Sequence, residues 1–312
     1  MADASSSFLK TVRIAKSLSM MSILKSCLRP LYYGGLNASR RAHRAVLRVL
    51  RTVVGQRLFL KYVGIIRQDA DTVVEVANFR LEAGNPIPFY RAETLLTKEP
   101  DTIFWIDQFF REGDVFYDVG ANVGVFSLYA ARKGVHVIAF EPFFENYALL
   151  NRNIQLNALG DRIAALNLAI HNETVLSQLN VSALDPGKAG HSFRQPIGSD
   201  GKEYSPVFAQ SVLGFDLDHL VKLFSMPKPN FIKIDVDGND HLVARGMATL
   251  LSDPCLRGIA IELNLEERRE DRDIIEWIEG FGFEKLTSAQ FLNKGYIDSG
   301  IKSYNHFFRR IG

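Results

Sequence analysis

The sequence predicts an α/β protein built on a doubly wound, mostly parallel sheet with helices on both faces. Three observations predict it. From residue 113 onward, short apolar runs alternate with stretches of helical period, the rhythm of strands joined by crossover helices. The run Val115-Phe116-Tyr117-Asp118-Val119 leads into a turn carrying Gly120, Asn122 and Gly124. A second run, Val135–Phe140, ends on the acid Glu141, followed by Pro142. Strand, glycine-rich turn, helix, strand and terminal acid make the first half of a nucleotide-binding α/β unit.

Residues 1–60 read as a basic helical extension. Leu9, Val12, Ala15 and Leu18, then Val46, Leu47, Leu50, Val53 and Val54, fall at helical spacing, and Pro30 and Gly34-Gly35 break the segment. Residues 1–61 hold twelve Lys and Arg and one acid, Asp3, so this segment is +11 while the chain is only +2. Several readings stay open: a helix lying on an anionic membrane or acidic partner, a helical cap with a solvated face or a floppy leader, and an organelle-targeting segment. Sparse aromatics and the lack of any known motif speak against nucleic acid.

Residues 61–112 read as a preface to the core. Strand-like runs cover 61–66 and 72–79, Asn85–Pro88 reads as a turn, and Glu93–Arg111 reads as one helix. Phe104, Trp105, Phe109 and Phe110 form its apolar side, a stripe that belongs to a core. Residues 113–312 form the main domain. Its strands are expected at 115–119, 135–140, 163–170, 230–236 and 257–263, and its helices at 124–132, 143–157, 240–251 and 270–280. Val175–Val181 and Val207–Val212 look like extra strands. The Gly-, Pro- and Ser-bearing stretch 185–205 is a loop long enough to be functional. Leu286 and Tyr304–Phe308 supply the closing strands.

Apolar content of 47% and charged content of 23% are those of a soluble globular protein. No run of eighteen apolar residues occurs, so no spanning helix is expected. Met20–Leu24 is too short for a secretory core. Cys27 and Cys255 match no metal or redox spacing, which points to a reducing, cytoplasmic compartment; peripheral contact with the inner membrane face belongs to the membrane reading of residues 1–60. Cys255 reads as a small buried hydrophobe.

The turn does not fit a dinucleotide. That fingerprint needs three glycines and a helix N-terminus facing pyrophosphate. Here an acid, Asp118, precedes Gly120, Asn122 stands where a glycine is common, and no third glycine follows. An acid repels pyrophosphate and suits a cation, and S-adenosylmethionine carries a sulfonium and an ammonium beside its ribose. Glu141 can accept from both ribose hydroxyls. A dinucleotide site, and a plain packing turn, remain the alternatives.

A second dense signal is Phe231-Ile232-Lys233-Ile234-Asp235-Val236-Asp237-Gly238-Asn239-Asp240-His241. Asp118, Glu141, Asp235, Asp237 and Glu262 all stand at or near strand ends, where open α/β sheets bind ligands. Such crowding raises carboxyl pKa values, so a cation must compensate: the sulfonium, Lys233, Arg245 or a divalent metal. Asp237 and His241 are candidate general bases, with Asp235 next and His191 a further candidate. Asp235 and Asp237 could hold a hard ion through oxygen, but without a third ligand no metal site is assigned. Glu262, in Ile261-Glu262-Leu263-Asn264, is either a structural acid or, with Asn264 and His191, part of an acceptor pocket.

Taken together the motifs resemble the FkbM family of S-adenosylmethionine-dependent methyltransferases. The residues that carry the resemblance are Asp118–Gly124, Ala139-Phe140-Glu141-Pro142, Asn151–Asn157, Ile232–Gly238 and Ile261–Asn264, within roughly 113–310. Asp237 stands where many relatives have Glu. The resemblance implies a class I methyltransferase fold, Rossmann-like, with seven strands and one antiparallel strand near the edge. It implies O-methylation of a hydroxyl on a sugar, glycan or glycosylated metabolite. Asp118, Gly120, Asn122 and Gly124 would hold the methionine part of the cofactor, Glu141 its ribose, and Ala169 and Ile170 would lie beside adenine. It does not account for residues 1–60. A nicotinamide-dependent oxidoreductase, and a non-catalytic Rossmann-like protein docking through its basic N-terminus, are the competing readings.

Overall fold

The structure, a computed structural model, describes residues 72–287 and 305–312 apart from 77, 95 and 267, and upstream only Arg48 and Thr52. The chain divides into two units, Met1–Asp71 and Thr72–Gly312. In the first, Arg48 and Thr52 are helical, and the Thr52 hydroxyl donates to the Arg48 carbonyl at 3.0 Å. The rest of the basic extension, Cys27 and the run 61–66 lie outside the described residues.

The second unit begins with a hairpin. The run expected at 72–79 folds as two short strands, β1 (Val73–Val76) and β2 (Phe79–Glu82), reversed at Asn78 with φ 67. Asn tolerates this left-handed conformation better than most residues. The Pro-rich stretch expected to be a turn starts a helix instead, α1 (Pro86–Glu93). Asn85 caps it by accepting from the Ile87 amide at 2.9 Å, and Pro86 occupies a first-turn position that needs no N–H. The single helix expected over 93–111 is therefore two. Pro100 cannot sit inside a helix, so it opens a second one, α2 (Pro100–Phe109). The aromatic stripe is core as expected: Trp105 meets Phe110 and Phe231 edge-on at 4.9 and 5.6 Å.

Alternation then sets in: β3 (Val115–Val119), α3 (Val125–Arg132), β4 (His136–Phe140), α4 (Phe144–Leu156) and β5 (Ile163–Leu166). The strand expected over 163–170 is broken after Leu166. The Asn167 side chain donates to the carbonyls of Glu141 and Pro142, at 2.8 and 2.9 Å, and turns the chain off the sheet. Residues beyond it form β6 (Ala169–Ile170), which joins β7 (Val175–Val181), β8 (Ser192–Phe193) and β9 (Phe208–Phe215) in a separate sheet ordered β6-β9-β7-β8. Thus the two extra strands form, and the loop between them contains a short third.

The chain continues through α5 (Leu217–Phe224), β10 (Phe231–Ile234), α6 (Asp240–Arg245), α7 (Ala248–Ser252), β11 (Gly258–Glu262), α8 (Arg269–Glu279), β12 (Phe283–Lys285) and β13 (Asn305–Arg310). The one helix expected over 240–251 breaks at Gly246-Met247. A Cβ on Gly246 would stand 2.4 Å from the His171 carbonyl, so the backbone packs there with no room for a side chain.

The main sheet has seven strands ordered β12-β13-β11-β10-β3-β4-β5, and β13 runs antiparallel to both its neighbours. Side chains alternate across it, as the pleat demands. Phe116 and Phe231 enter one core layer with Trp105, Leu128 and Leu150. Tyr117, Val119, Ile232 and Ile234 enter the other with Val243, Leu250 and Ile274. Both faces are therefore apolar and both are covered by helices. Cys255 departs from expectation: it is exposed, in the turn before β11. Among the described residues no helix is long and apolar enough to cross a membrane.

Candidate active site

β3 comes first in the alternating run, β4 lies on one side of it and β10 on the other. Strand order reverses there, and ligands bind outside the carboxyl ends of strands at such a point. A cavity of about 280 Å³ opens at that place, lined by the tips of β3, β4, β10 and β11.

The turn after β3 is shaped by close backbone approach. Gly120 has φ 83, and a Cβ there would lie 1.8 Å from the Asp235 carbonyl oxygen, so only glycine fits. Asn122 follows with φ 52. Its side-chain Nδ2 donates to the Lys188 carbonyl at 3.2 Å, while its Oδ1 is buried with no partner among the described residues. Gly124, φ 86, caps α3, and a Cβ there would meet Leu150 Cδ1 at 2.4 Å. Gly124 and Asp118 are not on the cavity lining. Asp118 is buried and accepts from the Ser127 hydroxyl at 2.5 Å, so its side chain braces β3 against α3 and does not face the cavity.

Glu141 does face it. One carboxylate oxygen accepts from the Asn122 amide at 2.8 Å, the other from the Phe143 amide at 2.9 Å. Burial pushes its pKa up to about 7, and those two amides only partly offset the shift. Each oxygen keeps a free lone pair. Ala169 and Ile170 line the same end, with Leu168, Leu179 and Phe193.

Acids crowd the other end. Asp235, Asp237 and Glu262 all line the cavity. Lys233, fully buried, places its ammonium 2.6 Å from Asp235. Burial would raise Asp235, but Lys233 and a hydrogen bond from Glu262 hold it below the usual carboxylate range. Glu262 goes the other way, raised first by the Asp235 charge and then by burial, so it carries the proton that the two share. Asp237 has φ 55 and accepts from the Gly190 amide at 2.7 Å. Burial, then the Asp235 charge, push it up to about 6. Asp240 lies behind, off the lining. It accepts from the Val236 and Gly238 amides, both at 2.9 Å, and burial raises it to about 7.

Two candidates from the sequence fall away from the cavity. His241 lies outside the lining with its Nδ1 3.4 Å from Asp271 Oδ1. Being one residue past Asp240, it faces α8 instead. Asn264 also lies outside the lining: its main-chain amide donates to Asp271 at 2.8 Å and its side chain reaches the Ser199 carbonyl at 3.5 Å. His191 does line the cavity, with its ring 4.4 Å from that of Phe143. Its Nδ1 accepts from the Ser182 amide at 3.2 Å, which puts the ring proton on Nε2, and that nitrogen is buried without a partner. Burial lowers its pKa to about 4. A neutral ring with its basic nitrogen engaged can donate a hydrogen bond but is badly placed to take a proton.

Several lining residues escaped the sequence reading. Arg91, Lys98 and Glu99 come from α1 and the turn before α2; Asn239 and Asn305 come from the segment after β10 and from β13. Asn146, buried in the first turn of α4, is the most structured of them. Its Oδ1 accepts from the Gly187 amide at 2.7 Å and its Nδ2 donates to the Lys188 carbonyl at 3.0 Å. Arg91 Nε donates to the Gly187 carbonyl at 2.6 Å. With Asn122 and Asp237, these contacts fasten residues 187–190 at the cavity. Among the described residues no group of three or more His, Cys, Asp or Glu is placed to hold a metal ion.

The hexuronic acid methyltransferase AglP of Haloferax volcanii is 26% identical over 156 residues, half of this chain and 59% of that protein. Methyltransferase sdnD of Sordaria araneosa is 27% identical, over 42% of this chain and 59% of its own length. The chain thus spans less than two thirds of either relative. A solved structure, Trm5b from Pyrococcus abyssi, is similar over 77% of this chain and 56% of its own at 13% identity, with a TM-score of 0.40. The model of the methyltransferase FkbM domain matches residues 118–285, from the acid that braces β3 to the end of β12. That is more than half of the chain, and the chain belongs to the FkbM methyltransferase family.

Proposed function

We propose that the protein transfers a methyl group from S-adenosylmethionine to a hydroxyl of a sugar or glycosylated metabolite. The observation that carries the reading is the cavity between the Gly120 turn and Glu141. It pairs a backbone that only glycine can form with a carboxylate whose two oxygens each keep one lone pair toward a diol. The residues fit the cofactor at three further points. Asn122 Oδ1 is a buried acceptor lacking a donor, as an ammonium would supply. Ala169, Ile170, Leu168 and Phe193 make an apolar wall suited to a flat base. Asp235 gives the opposite end the negative charge that a sulfonium favours.

When bound, the cofactor supplies an electrophilic methyl group on positive sulfur. The protein holds the acceptor in line and receives its proton. Asp237 is the base: its Oδ2 is engaged by the Gly190 amide, its other oxygen has no such bond, and its pKa of about 6 leaves it ionised yet proton-accepting near neutrality. His191 lines the same cavity as Asp237. The relative named for hexuronic acid supports a sugar acceptor.

Two measurements test the reading. S-adenosylmethionine and its demethylated product should raise the melting temperature by mass action, and nicotinamide nucleotides should not. Labelled methyl should pass from the cofactor into a glycan fraction of cell extract. A melting point that responds only to a nicotinamide nucleotide would sink the proposal, as would label found only in protein or lipid acyl chains.

A further inference from the structure

Lys233 is a lysine inside a strand, 1% exposed, on the central β10. An ammonium is expensive to bury and is retained only where charge pairs with it. Its surroundings are complete enough to read. Two residues on, just past the end of its own strand, Asp235 accepts a hydrogen bond from the ammonium at 2.6 Å. Across the ladder its register partner on β3 is Asp118. The Phe126 ring of α3 lies 5.0 Å from the ammonium. Glu99, from the turn before α2, adds a further negative charge, and all three acids favour the charged lysine. Among the described residues, Asp235 is the acceptor that this ammonium meets, so its direct hold is on one carboxylate of the acidic rim.

We propose that Lys233 is a positioning residue: by holding Asp235 as the charged member of the rim, it leaves Asp237 as the carboxylate that takes the acceptor's proton. This rests on the methyltransfer reading above. Each rim carboxyl has a different standing. Asp235 is bound to Lys233 and receives a hydrogen bond from Glu262, so it is a weak base. Glu262 already carries a proton and cannot take another. Asp237 is left, and the fixed charge on Asp235 is what lifts its proton affinity after burial has done so. In the step, the acceptor O–H bond breaks, its electron pair stays on oxygen, and the proton passes to Asp237.

Other groups also face Asp237, and the inference must survive them. The Gly190 amide of the 187–190 segment, Arg91 of α1 and Lys98 of the following turn lower its affinity for a proton. Glu141 at the β4 tip, Asp240 of α6, Glu262 of β11 and Tyr204 interact with it as well. None of these is attached to Lys233 by a hydrogen bond. The hydrogen-bonded route from Lys233 to Asp237 therefore runs by way of Asp235, whose charge is the neighbouring one that raises Asp237 most.

The test is a carbon-13 carboxyl titration of Asp237 in the full-length free protein, assigned by its disappearance in Asp237→Asn. Removing the ammonium lets Asp235 take up a proton, which cancels the charge that raises Asp237. The midpoint of Asp237 should fall by about one pH unit in Lys233→Met and in Asp235→Asn alike. Lys233→Arg, which keeps the charge, should restore it at least in part. A purely structural lysine would change the melting temperature and leave the midpoint in place, and that result overturns the proposal. Should Lys233→Met fail to fold, the double variant Lys233→Met/Asp235→Asn removes both buried charges, and an unshifted midpoint there is equally fatal. Cofactor binding is read separately by calorimetry on the same sample. Absence of binding to the unaltered protein defeats the methyltransfer reading without touching the titration.

Discussion

The two ends of the cavity hold charge by different means. At the Glu141 end the carboxylate is met by main-chain amides of Asn122 and Phe143, at 2.8 and 2.9 Å. At the Asp235 end carboxyls are met by a buried ammonium and by one another. Backbone amides are fixed by the fold and do not titrate, so at the first end the donors stay in place and only Glu141 itself gains or loses a proton. The second end is a set of coupled protons whose state depends on each member. Binding is best built on the first arrangement and proton transfer on the second.

The sharpest break of that contrast is at the seam between the ends. Gly120→Ala would drive a methyl group into the Asp235 carbonyl, 1.8 Å away, at a positive φ. We expect a loss of about 3–5 kcal/mol of stability in denaturant unfolding, or no folded protein at all. A normal midpoint would mean that β3 and β10 do not meet as described. Next in size is Glu141→Ala, which should weaken cofactor binding by roughly 100-fold, about 3 kcal/mol, in calorimetry. Asp237→Asn should leave cofactor affinity within about threefold while turnover drops by roughly 10²–10⁴-fold. If it loses binding instead, the division between the ends fails.

Glu141 also predicts a pH effect with two signs. Its pKa is raised from the unfolded 4.5 to about 7 by burial, so the folded state holds a proton that the unfolded chain has lost. The associated stability is full below about pH 4.5 and disappears as pH rises through about 7. Ionised Glu141 is the better partner for a diol, so cofactor affinity should rise over the same window. Melting curves and calorimetry between about pH 5 and 8 check both, and Glu141→Gln should flatten the affinity profile. The smallest expected effect is Asn146→Ala. It strips partners from the Gly187 amide and the Lys188 carbonyl, at a cost of about 1–3 kcal/mol. Amide exchange at Gly187 and tryptic cleavage after Lys188 should both speed up while the global melting temperature moves little.

What could be read from residue order follows the same divide. Gly120, Asn122 and Glu141 lie within about twenty positions of each other, and local turn chemistry with strand periodicity was enough to bring them together. The acids Asp235, Asp237 and Glu262 were placed at strand ends for the same reason, and they do line the cavity. Their proton states were not legible, because these depend on Lys233 and on mutual distances. Asn146 and Arg91 were missed because their partner, Gly187, lies 41 and 96 residues away. His241 was misjudged by helical phase: in α6 its neighbour Asp240 turns back to cap the β10 tip, and His241 meets α8. The broken helices, at Pro100 and Gly246, show that a proline inside an apolar pattern is the more readable signal. Gly246 owes its role to His171, a contact far along the chain.

β13 lies between β11 and β12, so β12 has no strand of the sheet to pair with until residues 305–310 are in place. Its Arg310 side chain also donates to the carbonyls of Leu251, Asp253, Leu256 and Phe281, and its Asn305 lines the cavity. A chain without residues 305–310 would thus lack one strand and, in Asn305, one residue of the cavity lining, so the sheet edge and that part of the cavity depend on the same six residues.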